Sequence, residues 1–337
     1  MYRCLQLARL GEYYVAPNPM VGAVLVGHVV GDEQGEDIIL GEGWHEQYGG
    51  PHAEPNCIRN AESAHPEGID YKSCTLYVSL EPCSHYGKTP PCAELIIRKG
   101  IGHVVIGMLD PNPQVAGRGV KMMQEAGVEV KVGVLEEECR RLNKRFNCLH
   151  TNHRPYVILK WAQTADGYID VARDSGTPLV ISTPLTKQLV HQQRAENMEN
   201  MVGTRTVLLD DPRLLNTRWS GRSPIRVTLD RHGVLSRDCR IFSDEAPTVV
   251  YRENTDWQYI LSDLANRNVH SILVEGGAIL LQHILDSGLY DEVHVEVSKY
   301  SLPQVNGQIV GGVAAPNYVF STSPTIIDGN KIYVEYR

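Results

Sequence analysis

Two short segments hold the residues best suited to chemistry. One is Pro51-His52-Ala53-Glu54, the other Glu81-Pro82-Cys83 running on to Cys92. An imidazole and two thiolates suit Zn²⁺, and three protein ligands leave a fourth position where water becomes acidic near neutral pH. A carboxylate that moves the proton without binding the metal completes a hydrolytic deaminase, whose pattern is His-x-Glu followed by Pro-Cys-x-x-Cys. In that pattern His52, Cys83 and Cys92 are the zinc ligands and Glu54 is the catalytic proton shuttle.

The spacing departs from the pattern. Eight residues, Ser-His-Tyr-Gly-Lys-Thr-Pro-Pro, separate Cys83 from Cys92 where two are usual. Such an insert must loop out and return the second thiolate to the metal, and its turn-forming residues allow that. Each half of the pattern is unremarkable alone; the order, the proline before Cys83 and a helix starting near His52 make the conjunction specific. Two other readings stand beside it. A structural zinc needs four protein ligands, the fourth being His45, His85 or Cys57. A deaminase acting on a flipped nucleic-acid base needs a basic groove.

These residues require elements to hold them. Apolar runs at 21–26, 75–79, 103–108 and 128–134 read as strands, alternating with helices at 53–61, 93–99 and 119–126. The first residues read as an amphipathic helix. The stretch 136–145 is charged and helix-favouring, and the polar run from His150 ends at Pro155. A second alternating series follows. Its strands fall near 156–161, 225–229, 248–251, 271–274, 292–297 and 331–335, and its helices near 184–195, 256–267 and 278–287. The expectation is an α/β protein of two domains, 1–145 and 155–337, joined by a linker at 146–154. A small polar excursion at 31–37 reads as a loose hairpin.

Charge narrows the partners. The chain has 32 Lys and Arg against 40 Asp and Glu, a net charge of -8, and no block of basic residues. Nucleic acid and anionic membranes are therefore disfavoured, whereas a phosphorylated small molecule needs only a few local cations. No apolar run reaches the roughly 18–20 residues that span a bilayer. The eight cysteines are scattered, and no secretory signal is legible, so free thiols and a cytoplasmic location are expected.

The second domain shows one suggestive feature. The strand at 271–274 runs into Glu275-Gly276-Gly277 and then a helix. Paired glycines there either let a phosphate approach the helix N-terminus or simply make a tight turn. No Gly-x-Gly-x-x-Gly occurs, which argues against the common dinucleotide-binding fold.

Over nearly its whole length the chain resembles the bifunctional deaminase/reductases of riboflavin biosynthesis. The resemblance is carried by APNPMVGAV at 16–24, GEGWHEQYGGPHAE at 41–54, YVSLEPCSHYGKTPPC at 77–92 and DPNPQVAGRG at 110–119. VLLDDPRL at 207–214 and LVEGGAIL at 273–280 add to it. It implies a cytidine-deaminase-like first domain and a dihydrofolate-reductase-like second domain. The implied substrate is 2,5-diamino-6-ribosylamino-4(3H)-pyrimidinone 5′-phosphate. The first domain would deaminate it, and the second would reduce its ribosyl group to ribityl with NADPH. By motif matching, Asn18, His45, His85, Lys88, Thr89, Asp110 and Asn112 would line the deaminase pocket. Alternatively, Asn18 stabilises a turn between its prolines, and residues 110–113 only end a strand.

In the reductase the resemblance places substrate contacts at Arg194, Leu214, Arg218 and Glu275, with the two arginines as phosphate clamps. Cofactor contacts would fall at Gln163, Thr206, Asp210, Gly277, Ala278, Ile279 and Leu280. A solvated surface position is the other reading for either arginine. The chain departs from the family in carrying Trp161 and Gln163 where smaller residues are usual, and Val180 where many members have tryptophan. Its segment 302–316 also fits poorly, and its start at Met1-Tyr2-Arg3 implies a shortened first helix. A homo-oligomer is expected by analogy with enzymes of this kind.

Overall fold

The computed structural model describes all residues except 32–35, 87–89, 114, 175–176, 306–307 and 310. It divides into two compact units, Met1–Asn152 and His153–Arg337. Where the sequence suggested a linker at 146–154, residues Lys144–Asn152 form a helix that ends the first unit. Cys148 and Leu149 of this helix are buried, and a residue so packed is not a free tether.

The first unit runs α1 (Tyr2–Arg9), β1 (Gly22–Gly27), β2 (Ile38–Trp44), α2 (Ala53–Ala64), β3 (Thr75–Leu80) and α3 (Cys92–Lys99). It continues through β4 (His103–Met108), α4 (Arg118–Glu125), β5 (Glu129–Val132), α5 (Glu136–Leu142) and α6 (Lys144–Asn152). The strands form one sheet in the order β2-β1-β3-β4-β5. β1 pairs antiparallel with β2 and β3, while β3, β4 and β5 are mutually parallel. Strand alternation sends Ala23 and Leu25 of β1 to one face, where Ala53, Cys57, Ile58 and Ala61 of α2 and Ile96 of α3 meet them. Val24 points to the other face, against Cys4 and Leu7 of α1.

Gly41 and Gly43 explain how α2 comes so near the sheet. A Cβ at Gly43 would stand 2.3 Å from the Cys57 nitrogen, and one at Gly41 would stand 2.6 Å from the Cys57 carbonyl. With no side chains there, β2 packs directly on the α2 backbone. The sequence had not marked β2 as a strand, because its glycines mask the apolar pattern. The excursion expected at 31–37 lies mostly outside the described residues.

The second unit contains β6 (Tyr156–Gln163), β7 (Tyr168–Val171), α7 (Pro184–Glu196), β8 (Glu199–Val202), α8 (Thr204–Asp210), β9 (Ile225–Leu229), β10 (Thr248–Tyr251) and α9 (Trp257–Asn266). It ends with β11 (Ser271–Gly276), α10 (Ala278–Ser287), β12 (Glu292–Val297), the short strands β13 (Gln304–Val305), β14 (Gln308–Ile309), β15 (Gly312–Ala314) and β16 (Thr325–Ile327), and β17 (Asn330–Tyr336). Eight of these strands form one sheet, ordered β10-β9-β8-β11-β6-β12-β17-β16. The six strands from β10 to β12 are parallel, and β17 and β16 continue the sheet antiparallel. Val157, Leu159 and Trp161 of β6, Ile272 and Val274 of β11, and Val293 and Val295 of β12 share an apolar face, packed on Trp257, Ile260 and Leu264 of α9 and Leu281 and Ile284 of α10. The opposite face, under α7, adds polar side chains to the buried Ile158 and Leu273. Thr186 of α7 donates to Glu296 at 2.7 Å, and Gln193 meets His294 at 2.7 Å. Thr183 and Pro184 start α7 with a capping box and a proline in the first turn.

Candidate active sites

In the first unit the helix starts do the positioning. His52 is the N-cap of α2 and holds an extended backbone, so its ring leaves the helix end. Glu54 follows in the first turn. Cys92 opens α3, and Cys83 sits in the loop leaving β3. The sulfurs of Cys83 and Cys92 lie 3.6 and 3.4 Å from His52 Nδ1, and the Cys92 backbone N–H donates to the Cys83 sulfur at 3.3 Å. A tetrahedral zinc with Zn–S of about 2.3 Å and Zn–N of about 2.0–2.1 Å sets sulfur and nitrogen about 3.5 Å apart, so the donor set fits zinc. Among the described residues this is the one cluster of three such ligands.

Without the metal, the electrostatics favour one thiolate and one thiol. Hydrogen bonds from Cys92 and His52 lower the Cys83 thiol to about 4, while the adjacent Cys83 and burial push Cys92 well up. Hydrogen bonding to Cys83 in turn raises His52 to about 9. Glu54 is 3% exposed, its Oε2 has no hydrogen-bond partner, and burial lifts it to about 7 against the pull of His52. An unpartnered buried carboxylate oxygen beside three metal donors is a group waiting for a proton-bearing partner.

Of the residues expected to meet substrate, His45 adjoins His52 and Asn18 is bonded to His45. His45 follows β2 and is buried. Its Nδ1 faces the Pro51 carbonyl at 2.9 Å, which accepts only, so Nδ1 carries the hydrogen. Its Nε2 then accepts from the Asn18 amide at 3.0 Å. Burial pulls His45 down, which keeps the ring neutral. The His45 and His52 rings meet edge to face at 5.5 Å. Asp110 begins the loop after β4, and its Oδ1 accepts from the Asn112 backbone at 2.8 Å. His85 is exposed. Lys88 and Thr89 lie outside the described residues. Cys57 donates to the Gly41 carbonyl at 3.3 Å and, like His45 and His85, is not in the ligand cluster. Among the described residues the cluster thus offers three donors, one fewer than a structural zinc takes.

Two residues missed by the sequence reading support this pocket. The amide of Asn143 clasps both backbone groups of Met20, accepting at 2.8 Å and donating at 2.9 Å, and so holds the loop bearing Asn18. Glu81 binds four backbone N–H groups across the site. Nothing local in either residue's neighbourhood signals its distant partner.

In the second unit the carboxyl ends of β8 and β11 meet. The Gly203 N–H donates to the Gly276 carbonyl at 2.9 Å, and a Cβ on Gly277 would stand 3.3 Å from Thr206 Oγ1. Gly276 has φ +137, which only glycine adopts readily. Gly277 is the N-cap of α10, with Ala278, Ile279 and Leu280 in its first turn; Ile279 is 83% exposed. Gln163, at the end of β6, accepts from Trp161 Nε1 at 2.7 Å. Asp210, at the end of α8, is paired with Arg173. Leu214 is buried with φ 53, and Arg218 is exposed.

Arg194 departs from expectation. The guanidinium expected to clamp a phosphate donates twice to Glu275 and once, at 3.1 Å, to the Leu215 carbonyl. All three nitrogens of its guanidinium are engaged. Asn200 adds a bond to Glu275 at 2.8 Å. Lys160, also missed, stands on the same face, paired in register with His294. Burial pulls its ammonium down while Glu275 and Glu296 hold it up, and no ion pair among the described residues engages it.

The first unit carries a three-donor cluster that fits zinc and a buried carboxylate, the arrangement of a zinc-dependent hydrolytic deaminase; the second is built on a mostly parallel sheet whose strand ends converge on a glycine turn. Known proteins agree. Residues 1–108 match the family model of the cytidine and deoxycytidylate deaminase zinc-binding region, and residues 155–321 that of the RibD C-terminal domain. Riboflavin biosynthesis protein RibD of Synechocystis sp. is 38% identical over 343 residues, covering 95% of this chain and 86% of its own. The Escherichia coli K12 protein of the same name is 34% identical over 348 residues, covering 93% and 89%. A diaminohydroxyphosphoribosylaminopyrimidine deaminase/5-amino-6-(5-phosphoribosylamino)uracil reductase from Thermotoga maritima has the same fold, with a TM-score of 0.82 and 38% identity over 99% of this chain and 96% of its own. Acinetobacter baumannii RibD gives 0.83 at 30% identity over the same shares. The chain belongs to this family of bifunctional riboflavin-biosynthesis deaminase/reductases, with zinc in its first domain and NADPH as the reductant of its second.

Proposed function

We propose that the chain acts on 2,5-diamino-6-ribosylamino-4(3H)-pyrimidinone 5′-phosphate, hydrolysing one ring amine to a carbonyl in the first domain and reducing the ribosyl group to ribityl in the second. The observation that carries the reading is the His52, Cys83 and Cys92 cluster with the unpartnered Glu54 oxygen beside it. Bound there, zinc makes a water acidic and nucleophilic near neutral pH. Glu54 would take one proton from the attacking water and pass it to the ring nitrogen, and would then carry the remaining proton of the added hydroxyl to the departing amine, leaving the carbonyl. Asn18, fixed by His45, turns its free oxygen to a ring donor, and Asp110 and Asn112 read the remaining edge. His85, with Lys88 and Thr89, meets the phosphate.

In the reductase, NADPH supplies a hydride, and the protein's part is to hold the donor and acceptor together. Thr206, Asp210 and the first turn of α10 from Gly277 to Leu280 are the cofactor side, with Gln163 at the neighbouring strand end. Glu275, Leu214 and Arg218 face the sugar phosphate; Arg194 serves by holding Glu275, and Lys160 lies beside it to address the sugar oxygens. The eight cysteines are all free, which fits a cytoplasmic enzyme. A homo-oligomer is the expected form.

The decisive experiment supplies purified protein with the diamino-pyrimidine phosphate and NADPH, and follows ammonia release and NADPH absorbance together. Both signals are expected, in that order. Ammonia release without NADPH loss, or the reverse, would remove one half of the proposal. No helix among the described residues is long and apolar enough to cross a membrane.

A further inference from the structure

Glu81 is a charged side chain with a backbone-only set of partners. It leaves β3 two residues before the Cys83 ligand and is 4% exposed. Its Oε2 accepts from the backbone N–H of Asp110 at 3.2 Å and of Gly117 at 2.9 Å. Its Oε1 accepts from Gly119 at 2.9 Å and Val120 at 3.2 Å. No Lys, Arg or His among the described residues pairs with it. Gly117 is the N-cap of α4 and has no side chain to offer. The first-turn donors of α4 therefore find their acceptor on another element, and a carboxylate is the favourable charge at that helix end.

Three segments meet on this one carboxylate. Its own backbone leads through Pro82 to a metal ligand. Asp110 opens the loop whose side chain is already set by its bond from Asn112. Gly119 brings α4 onto the metal loop so closely that a Cβ there would stand 2.2 Å from the Pro82 carbonyl. The Glu81 backbone N–H also donates to the Met108 carbonyl at 2.9 Å, so both ends of the residue face the strand that leads to Asp110. Moving Glu81 would shift the ring-reading loop relative to the metal ligands without touching any ligand.

We propose that Glu81 is a positioning residue of the deaminase: its carboxylate sets the distance between the zinc-ligand loop and the Asp110–Asn112 loop that reads the pyrimidine edge. The assignment rests on those two residues facing substrate. A positioning error of this kind acts first on recognition, because the metal and Glu54 stay in place.

The test uses the full chain carrying Glu81→Gln, which keeps the size but turns an NH₂ toward two N–H donors. Zinc content, kcat and KM for ammonia release, and reduction of the deaminated intermediate are measured together. The expected result is one zinc per chain, unchanged reduction, and a deaminase KM raised tenfold or more with a smaller fall in kcat; Glu81→Asp should recover part of the KM. An unchanged KM in zinc-loaded protein overturns the proposal, as does loss of zinc, which would make Glu81 a prop of the metal loop alone. If Glu81→Gln does not fold, Gly119→Ala opens the same joint from the helix side with the carboxylate intact. The same KM rise there supports the proposal, and an unchanged KM overturns it. Wild-type protein that releases no ammonia would instead refute the deaminase reading itself.

Discussion

Arg194 Nε and Nη2 meet the two carboxylate oxygens of Glu275 at 2.6 and 2.7 Å, a half-buried bidentate pair joining α7 to β11. Burial opposes both charges; Arg194 holds Glu275 below the usual carboxylate range, and Glu275 keeps Arg194 raised. Replacing Arg194 by Met leaves Glu275 half-buried, with Lys160, His191 and Asn200 near it. The expected cost is about 1–3 kcal/mol, the usual scale for leaving a desolvated polar group without its partner. The double replacement Arg194→Met with Glu275→Leu should cost clearly less than the sum of the two single changes. Urea unfolding followed by tryptophan fluorescence checks this, since Trp161, Trp219 and Trp257 all lie in the second unit. Strictly additive costs would show that the two side chains act independently.

Metal loss should be selective. Cys83→Ala removes one of three ligands, so zinc content should fall from about one per chain and ammonia release should disappear with it. Reduction of the deaminated intermediate should persist, because no cluster residue lies in the second unit. Destabilisation of the first unit is expected as well, since binding energy at such a site is folding energy. Elemental analysis with both assays decides.

Glu54→Gln separates chemistry from binding. The amide keeps the volume and cannot take a proton, so ammonia release should drop by roughly 100-fold or more while zinc stays bound. Reduction should continue nearly unchanged. Loss of both activities in a folded, zinc-loaded protein would mean that the two reactions share one site.

Asn143→Ala removes the two-sided clasp on Met20. Two backbone groups lose their partner in a buried place, at a cost of about 1–3 kcal/mol each. The loop carrying Asn18 loosens, so the deaminase KM should rise while zinc content is unchanged. A stability loss with an unaltered KM would show that Asn18 is held by other means.

Glu199 predicts a pH dependence. It is 1% exposed, its Oε2 lacks a partner, and burial pushes it up to about 8, with Arg267 pulling it down and Asp263 up. Between its unfolded value near 4.3 and about 8 the folded state holds a proton that the unfolded chain has released. Stability should therefore be fullest below that lower value, fall as pH rises through the window, and level off above about 8. Glu199→Gln should flatten the slope and stabilise the second unit at pH 8. Urea midpoints at pH 5.5, 7 and 8.5 for both proteins measure it; parallel curves would refute it.

The metal centre was legible because zinc chemistry admits few residue types. His52, Cys83, Cys92 and Glu54 announce themselves in any fold, and the turn formers between the cysteines allow the longer loop. Most strands were legible too, since a run such as Val157–Leu159 buries both faces and needs no partner to be recognised. The family motifs extended this to the substrate and cofactor. What local pattern left open were groups whose meaning depends on a distant partner. β8 reads as polar because Glu199 and Asn200 precede Met201 and Val202, yet it sits in the middle of the sheet, between β9 and β11. The charge on Arg194 looked available to phosphate until a strand 81 residues away placed Glu275 against it. Glu81 and Asn143 bind backbone groups, which every residue possesses, so no side-chain pattern encodes their choice. Residue chemistry sets which atoms can act; the folded chain sets which of their bonds are already taken.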